Sequence, residues 1–237
     1  MAIACPRLSW RDVSLSLCLV GLVALQIVDG LHLRPLRSAI EQMPSPPSAA
    51  ALKAMAFGDD QFLYRAELSW LQEVGDGGGR LRPLREFDYG RVADWLRALD
   101  RLDPQSDAMF QLGSAYFGAI SDPKTASTQL PPLIDYYAEG GMADPARRWH
   151  WLVWAAIKTQ HVVKSPVMAD RLVDDLLAVR ANPDAPAWLP LLAPPLLRAV
   201  GETERAAALD ADPDIVERRR KANEILRERH AVGRTPN

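Results

Sequence analysis

The chain has 237 residues, with 28 basic and 30 acidic side chains and a net charge of −2. That balance excludes the basic footprint of a nucleic-acid-binding protein. An apolar content of 48% with seven tryptophans is ample for a core, and both cysteines, Cys5 and Cys18, lie near the N-terminus, so the rest of the chain suits an oxidising compartment without requiring one.

In chain order, the first element is an uninterrupted apolar run, Val13 to Val28, with no charge and with Ser14, Ser16 and Gln26 as its polar groups. A hydrocarbon core of about 30 Å takes ~20 helical residues. Trp10 in front and Leu31-His32-Leu33 behind extend the run through the interface. Residues 13–33 are therefore predicted to be one transmembrane helix, an uncleaved signal anchor, behind a cytoplasmic tail of residues 1–12. The alternative is a cleaved signal, which would want small residues just after the apolar core. Leu22-Val23-Ala24 and Gln26-Ile27-Val28-Asp29-Gly30 supply them poorly. A lipoprotein signal fails, because Leu17 stands where a small residue should precede Cys18. Arg7 and Arg11 before the run nearly balance Arg34 and Arg37 after it. A short tail with two arginines stays cytoplasmic, so a single-pass inner-membrane protein with an extracytoplasmic soluble domain is expected.

Residues 34–48 read as a juxtamembrane segment ending in a linker. Met43-Pro44-Ser45-Pro46-Pro47-Ser48 favours polyproline II, a semi-rigid spacer, and Ser48 is placed to cap a helix. Residues 49–231 read as one helical domain and 232–237 as a disordered tail. The domain is punctuated by Asp103-Pro104, Asp122-Pro123, Asp144-Pro145, Ser165-Pro166, Asn182-Pro183 and Asp212-Pro213. Each pairs a side-chain cap with a residue that needs no donor at the first helical position, so each marks a helix start or the turn before one. The 3.6-residue period puts Leu63, Ala66, Trp70 and Val74 on one face, as it does Val92, Trp95, Leu96, Leu99 and Leu102, and Met168, Leu172, Val173 and Leu176. No stretch shows sustained apolar–polar alternation, so strands are not expected and the fold class is all-α. In Arg147 to Ala156, Trp149, Leu152, Val153 and Ala156 fall on one side and Trp151, Trp154 and Ala155 on the other, which predicts an inner helix covered on both sides.

Met109-x-x-Leu112-Gly113-x-x-Tyr116, after Leu102-Asp103-Pro104, resembles the first helix of a tetratricopeptide repeat. Trp149-x-x-Leu152-Val153-x-x-Ala156 is a looser match, with Val for Gly and Ala for Tyr. Trp188-x-x-Leu191 is a fragment that Pro194-Pro195 interrupts. Leu112-Gly113-x-x-Tyr116-x-Gly118 is also similar to the related Sel1-type repeat. The resemblance runs from Asp88 to Asp210, without a regular period of about 34 residues. It implies a short right-handed stack of helix hairpins, a degenerate solenoid whose concave face binds another protein. Met109, Leu112, Gly113, Tyr116, Trp149, Leu152 and Ala156 would be its packing residues, and Gly113 would let paired helices approach closely.

No set of residues predicts catalysis, a cofactor, a metal or a small-molecule substrate. Trp149, Trp151 and Trp154 with Tyr136 and Tyr137 read as core before they read as a binding platform. His150 and His161 lack further ligands for zinc. Gly75-Asp76-Gly77-Gly78-Gly79-Arg80 lacks the Lys-Ser/Thr ending of a phosphate loop. Asp59-Asp60 and Asp174-Asp175 are adjacent and diverge by about 100° in a helix, so neither pair shares a proton. In the last helix, Arg218, Arg219 and Arg220 flank a stripe of Ile215, Ala222, Ile225 and Leu226. They read as a solvated cap of the array, or as a contact for an acidic partner or anionic lipid. The expectation is a non-enzymatic, membrane-anchored adaptor or accessory subunit that holds proteins of a membrane complex. A secreted or periplasmic protein freed by signal cleavage, and an enzyme with a scattered site, are the alternatives.

Overall fold

The computed structural model describes residues 16–26, 28, 43–74 and 83–232, and side chains as far as 228. The expected tail 1–12, residues 29–42, the glycine-rich turn 75–80 and the terminal residues 233–237 lie outside the described residues. All regular structure among the described residues is helical. The chain divides into two units, Met1–Pro44 with Val74–Arg82, and Ser45–Glu73 with Pro83–Asn237.

In the first unit, helix α1 covers residues 16–26, with Leu17, Leu19, Val20, Leu22, Val23 and Leu25 exposed. The expected membrane segment 13–33 is thus described only in its middle. A helix of that described length spans ~16 Å, and no helix among the described residues is long and apolar enough to cross a membrane.

The second unit begins at the polyproline-like linker. Ser48 Oγ accepts from Ala51 N at 3.2 Å and starts α2 (Ala49–Met55). Then come α3 (Asp60–Glu73), α4 (Tyr89–Asp100), α5 (Ala108–Gln111), α6 (Pro123–Gln129), α7 (Pro131–Ala143), α8 (Trp149–Lys158), α9 (Pro166–Ala178), α10 (Ala193–Ala199), α11 (Thr203–Asp210) and α12 (Pro213–Val232). The Pro-linked caps work as their chemistry dictates. Asp122 accepts from Thr125 N at 2.8 Å to start α6, and Ser165 accepts from Met168 N at 3.4 Å to start α9. Asp103, Asp144 and Asn182 instead hold turns, accepting from the amides of Gln105, Arg147 and Asp184.

Three expectations are corrected. Ala66 is exposed, because α3 turns Leu63, Tyr64 and Leu71 inward. The Met109–Tyr116 motif is not one regular α-helix: α5 ends at Gln111, and Leu112–Phe117 widens into a π-helix, with Gly118 N donating to Gly113 O, five residues back, at 2.7 Å. A second π-helical segment, Thr159–Val163, extends α8, and Lys164 N closes it on Thr159 O at 2.8 Å. Finally, α8 is not covered all round. It buries Trp151, Leu152, Ala155 and Ala156, whereas Ile157 stands on the opposite side, 47% exposed, and Trp149, at the first position of the helix, is 36% exposed.

The core is centred where α7 meets α4 and α8. Leu96 and Leu99 of α4, Leu133, Ile134 and Tyr137 of α7, and Trp151 and Leu152 of α8 are all fully buried. The α7–α8 contact depends on Gly140 and Gly141. A Cβ on Gly140 would overlap the Trp151 ring, and one on Gly141 would lie 2.6 Å from Leu152 Cγ and 3.2 Å from Leu152 N. A smaller cluster of Leu52, Ala56, Leu63 and Ala98, joined by Leu102, involves α2, α3 and α4.

Candidate partner-binding face

The motif residues that suggested a repeat occupy interior positions, with Trp149 the exception. Met109, Leu112, Gly113, Leu152 and Ala156 are buried, and Tyr116 is half-buried with its ring 5.0 Å from that of Phe117. Gly113 has a specific job. A Cβ there would overlap the Tyr137 hydroxyl and lie 3.0 Å from Leu96 Cδ1. That hydroxyl donates to Phe110 O at 2.9 Å. Burial pushes the Tyr137 pKa well up, with the side-chain hydrogen bond to Ser114 acting against the rise. What approaches Gly113 is therefore a tyrosine tip seated on the widened helix.

The start of α8 is fixed by a buried ion pair. Arg148 reaches Asp100 through two bonds of 2.7 and 2.8 Å and also donates to Pro104 O at 2.6 Å. Its guanidinium stacks 4.3 Å over the Trp151 ring. Arg147 bonds Pro104 O as well, together with Gln105 and Asp144. A bidentate, stacked arginine of this kind cannot be replaced by lysine without loss of both features. At the other end of α8, Lys158 Nζ donates to Gly118 O at 3.0 Å and lies 5.3 Å from the Trp154 ring centroid. Burial lowers its pKa.

This fastening leaves one side of α8 facing out. Trp149, Val153 and Ile157 recur every four residues and form an apolar stripe, with Val153 half-buried. Trp149 meets Trp188 edge-on at 5.5 Å, and Trp188 is itself 38% exposed. Of the aromatics considered as a platform, Trp151, Tyr136 and Tyr137 belong to the interior and Trp149 to the surface, with Trp154 half-buried between them.

Of the remaining candidates, His150 adjoins this face, its ring edge-on to Trp149 at 5.6 Å. His150 is edge-on to Phe110 at 4.5 Å and 3.6 Å from Asp107; His161 is exposed. Among described residues no three potential metal ligands come together. Asp59 accepts from Phe62 N, and Asp60 pairs with Lys53. Burial raises the Asp175 pKa, and Arg171 opposes that rise. Arg218 bonds Asp214 and the carbonyl of Ala187, Arg219 bonds Asp210, and Arg220 bonds Glu217 and Glu224. The first two fasten the root of α12. Beyond Ala222 its described residues are all exposed, including Ile225 and Leu226.

Sequence reasoning missed Gly140-Gly141, the Arg148–Asp100 pair and the partnership of Trp149 with Trp188. The first had a visible signal: two glycines inside an otherwise good helix cost stability unless a neighbour needs the space. The other two join residues far apart in the chain and had none. The chain matches no protein-family model, no curated protein and no solved structure in the three comparisons.

Proposed function

We propose that the protein is a membrane-anchored helical adaptor: residues 13–33 tether it to a bilayer, and the stripe on α8 holds another protein of a membrane complex. The observation that carries this reading is the exposed, edge-paired Trp149 and Trp188 on a face continued by Val153 and Ile157. Tryptophan supplies the largest apolar area at low entropic cost, and such residues dominate protein contacts. The rigid core and the Arg148 clamp beneath them present this face in one conformation, which limits the ordering cost of binding. For the tether, α1 exposes leucine and valine on all sides, a composition suited to lipid rather than water. Contacts of α7 with α8, α9 with α10 and α10 with α11 are what the account of a short right-handed stack of hairpins, similar to a degenerate tetratricopeptide array, draws on, with the widened motif helix as a local departure.

Extraction of native membranes with alkaline carbonate tests the tether, and the protein stays in the pellet on this account. Detergent-solubilised wild type and Ile157→Asp then test the face. The expected result is that a protein co-purifying with wild type in stoichiometric amount is lost from Ile157→Asp. Equal co-purification with both would overturn the assignment of the face.

A further inference from the structure

The corner between α2 and α3 carries side chains that neither the core nor the α8 face uses. Phe57 is 96% exposed, and Met55 and Phe62 are exposed beside it in sequence. Helix α2 buries only Leu52, so Ala49, Ala50 and Ala54 face outward as well. Phe57 has φ +48°, followed by Gly58 at +89°. A bulky L-residue in the left-handed region is an outlier, and glycine or asparagine would make the same turn with less strain. Folding gains nothing from a phenylalanine here: its ring has almost no neighbours. Strain held at an exposed position points to a contact made outside the chain.

Three charged groups at the corner, Lys53, Asp59 and Asp60, are already engaged, while Arg65, one turn beyond Phe62, is exposed. Lys53 Nζ pairs with Asp60 Oδ2 at 3.0 Å, and Asp59 Oδ1 takes the amide of Phe62 at 2.9 Å. The surface is apolar along α2, where Ala49, Ala50, Ala54 and Met55 are exposed. It also belongs to the first two helices after the Pro-rich linker, and so to the part of the domain nearest in sequence to the apolar run 13–33.

We propose that this corner is a bilayer contact, in which Met55, Phe57 and Phe62 enter the boundary between headgroups and acyl chains while α2 lies along the surface. The proposal rests on the reading of residues 13–33 as a tether. Aromatic and aliphatic side chains on a short surface helix suit that boundary. Three of them are too few to hold a free protein at a membrane, but the tether makes the encounter intramolecular, so a weak partition suffices. A protein groove would be matched by a shaped set of anchors, whereas α2 offers alanines that suit a fluid, unshaped medium. Because apolar side chains make the contact and phosphatidylcholine carries no net charge, the contact is insensitive to salt.

The test uses the full chain with Cys5 and Cys18 changed to serine, reconstituted into phosphatidylcholine vesicles. An environment-sensitive fluorophore is attached through Phe57→Cys, through Phe62→Cys, or through Glu204→Cys on exposed α11 as the control. Flotation of the vesicles reports the tether, and quenching by lipid-borne nitroxide reports the corner. The expected result is a blue-shifted emission quenched by nitroxide lipid at 57 and 62, not at 204, and unchanged by added salt. Phe57→Asn, which tolerates the left-handed turn and keeps the fold, removes the quenching at 62. A chain that floats with its probes at 57 and 62 as unquenched as the probe at 204 overturns the corner contact alone. A chain that does not float overturns the tether and the corner contact with it. A blue shift without quenching by lipid overturns the corner contact in favour of a protein surface.

Discussion

Replacing Gly113 with alanine asks whether the glycine exists to seat the Tyr137 hydroxyl. The added Cβ would overlap that oxygen and lie 3.1 Å from Tyr137 Cζ and 3.0 Å from Leu96 Cδ1. Overpacking costs ~1–3 kcal/mol, and pushing the buried Tyr137 hydroxyl off Phe110 O breaks its hydrogen bond for ~1–3 kcal/mol more. Alanine returns ~1 kcal/mol of helix propensity. The net loss is about 3 kcal/mol. Tyr137→Phe alone loses the hydrogen bond and costs ~2 kcal/mol. If the two changes were independent, the double variant would lose about 5 kcal/mol. With the oxygen gone, however, the Cβ has only ring and methyl carbons to displace by a few tenths of an ångström. Gly113→Ala/Tyr137→Phe is therefore expected to lose only ~2–3 kcal/mol, a coupling of about 2 kcal/mol. Urea unfolding of the full chain in mild detergent, followed by tryptophan fluorescence, measures all four corners of the cycle. Thermal scans should show about 2–4 °C for each kcal/mol. Additivity within ~0.5 kcal/mol would refute the reasoning, because Gly113 would then answer to something other than Tyr137.

Gly141→Ala should cost a net ~2 kcal/mol in the same assay, since its Cβ meets the backbone nitrogen of Leu152 as well as its side chain and α8 itself must shift. Arg148→Lys keeps the charge but loses the fork on Asp100 and the stacking on Trp151, for ~1–3 kcal/mol by urea unfolding. The Glu217 carboxyl is held at about 2, below its ordinary 4.5, by hydrogen bonds from Arg220 and Lys221. A depressed carboxylate favours the folded helix above its ordinary pKa and loses that effect as pH falls from 4.5 through about 2. A carboxyl-carbon NMR titration should therefore place its midpoint near 2, and Arg220→Gln should move it upward.

Much of the fold is legible because local chemistry decides it. Ser48, Asp122 and Ser165 start helices through their own side-chain caps, and the periodic stripe from Val92 to Leu99 is buried as its spacing demands. Ala66 and α8 misled for a shared reason: hydrophobic period identifies a candidate face, whereas the tertiary neighbours decide how wide the buried sector is. The π-helical turn at Leu112–Phe117 was not legible, because the residues packed against its glycines include Tyr137 and Trp154, on helices further along the chain. A Cβ on Gly118 would lie 2.6 Å from Ser114 O, 2.7 Å from Trp154 Cζ2 and 3.1 Å from Gly113 O, so this glycine answers to the backbone of the turn itself as well as to an aromatic. The candidate face was half legible. Three tryptophans in α8 drew attention, but which of them faces outward depends on the Arg148–Asp100 clamp, a pairing across the fold.

The central claim, that the outward side of α8 holds a protein at the membrane, is tested most directly by photo-crosslinking in intact cells from an aryl azide placed in turn at Ile157, Trp188, Lys124 and Glu204. The account predicts one and the same adduct from Ile157 and Trp188, recovered in the membrane fraction and absent from Lys124 and Glu204. No adduct from either α8-face position, or equal adducts from all four, would contradict it.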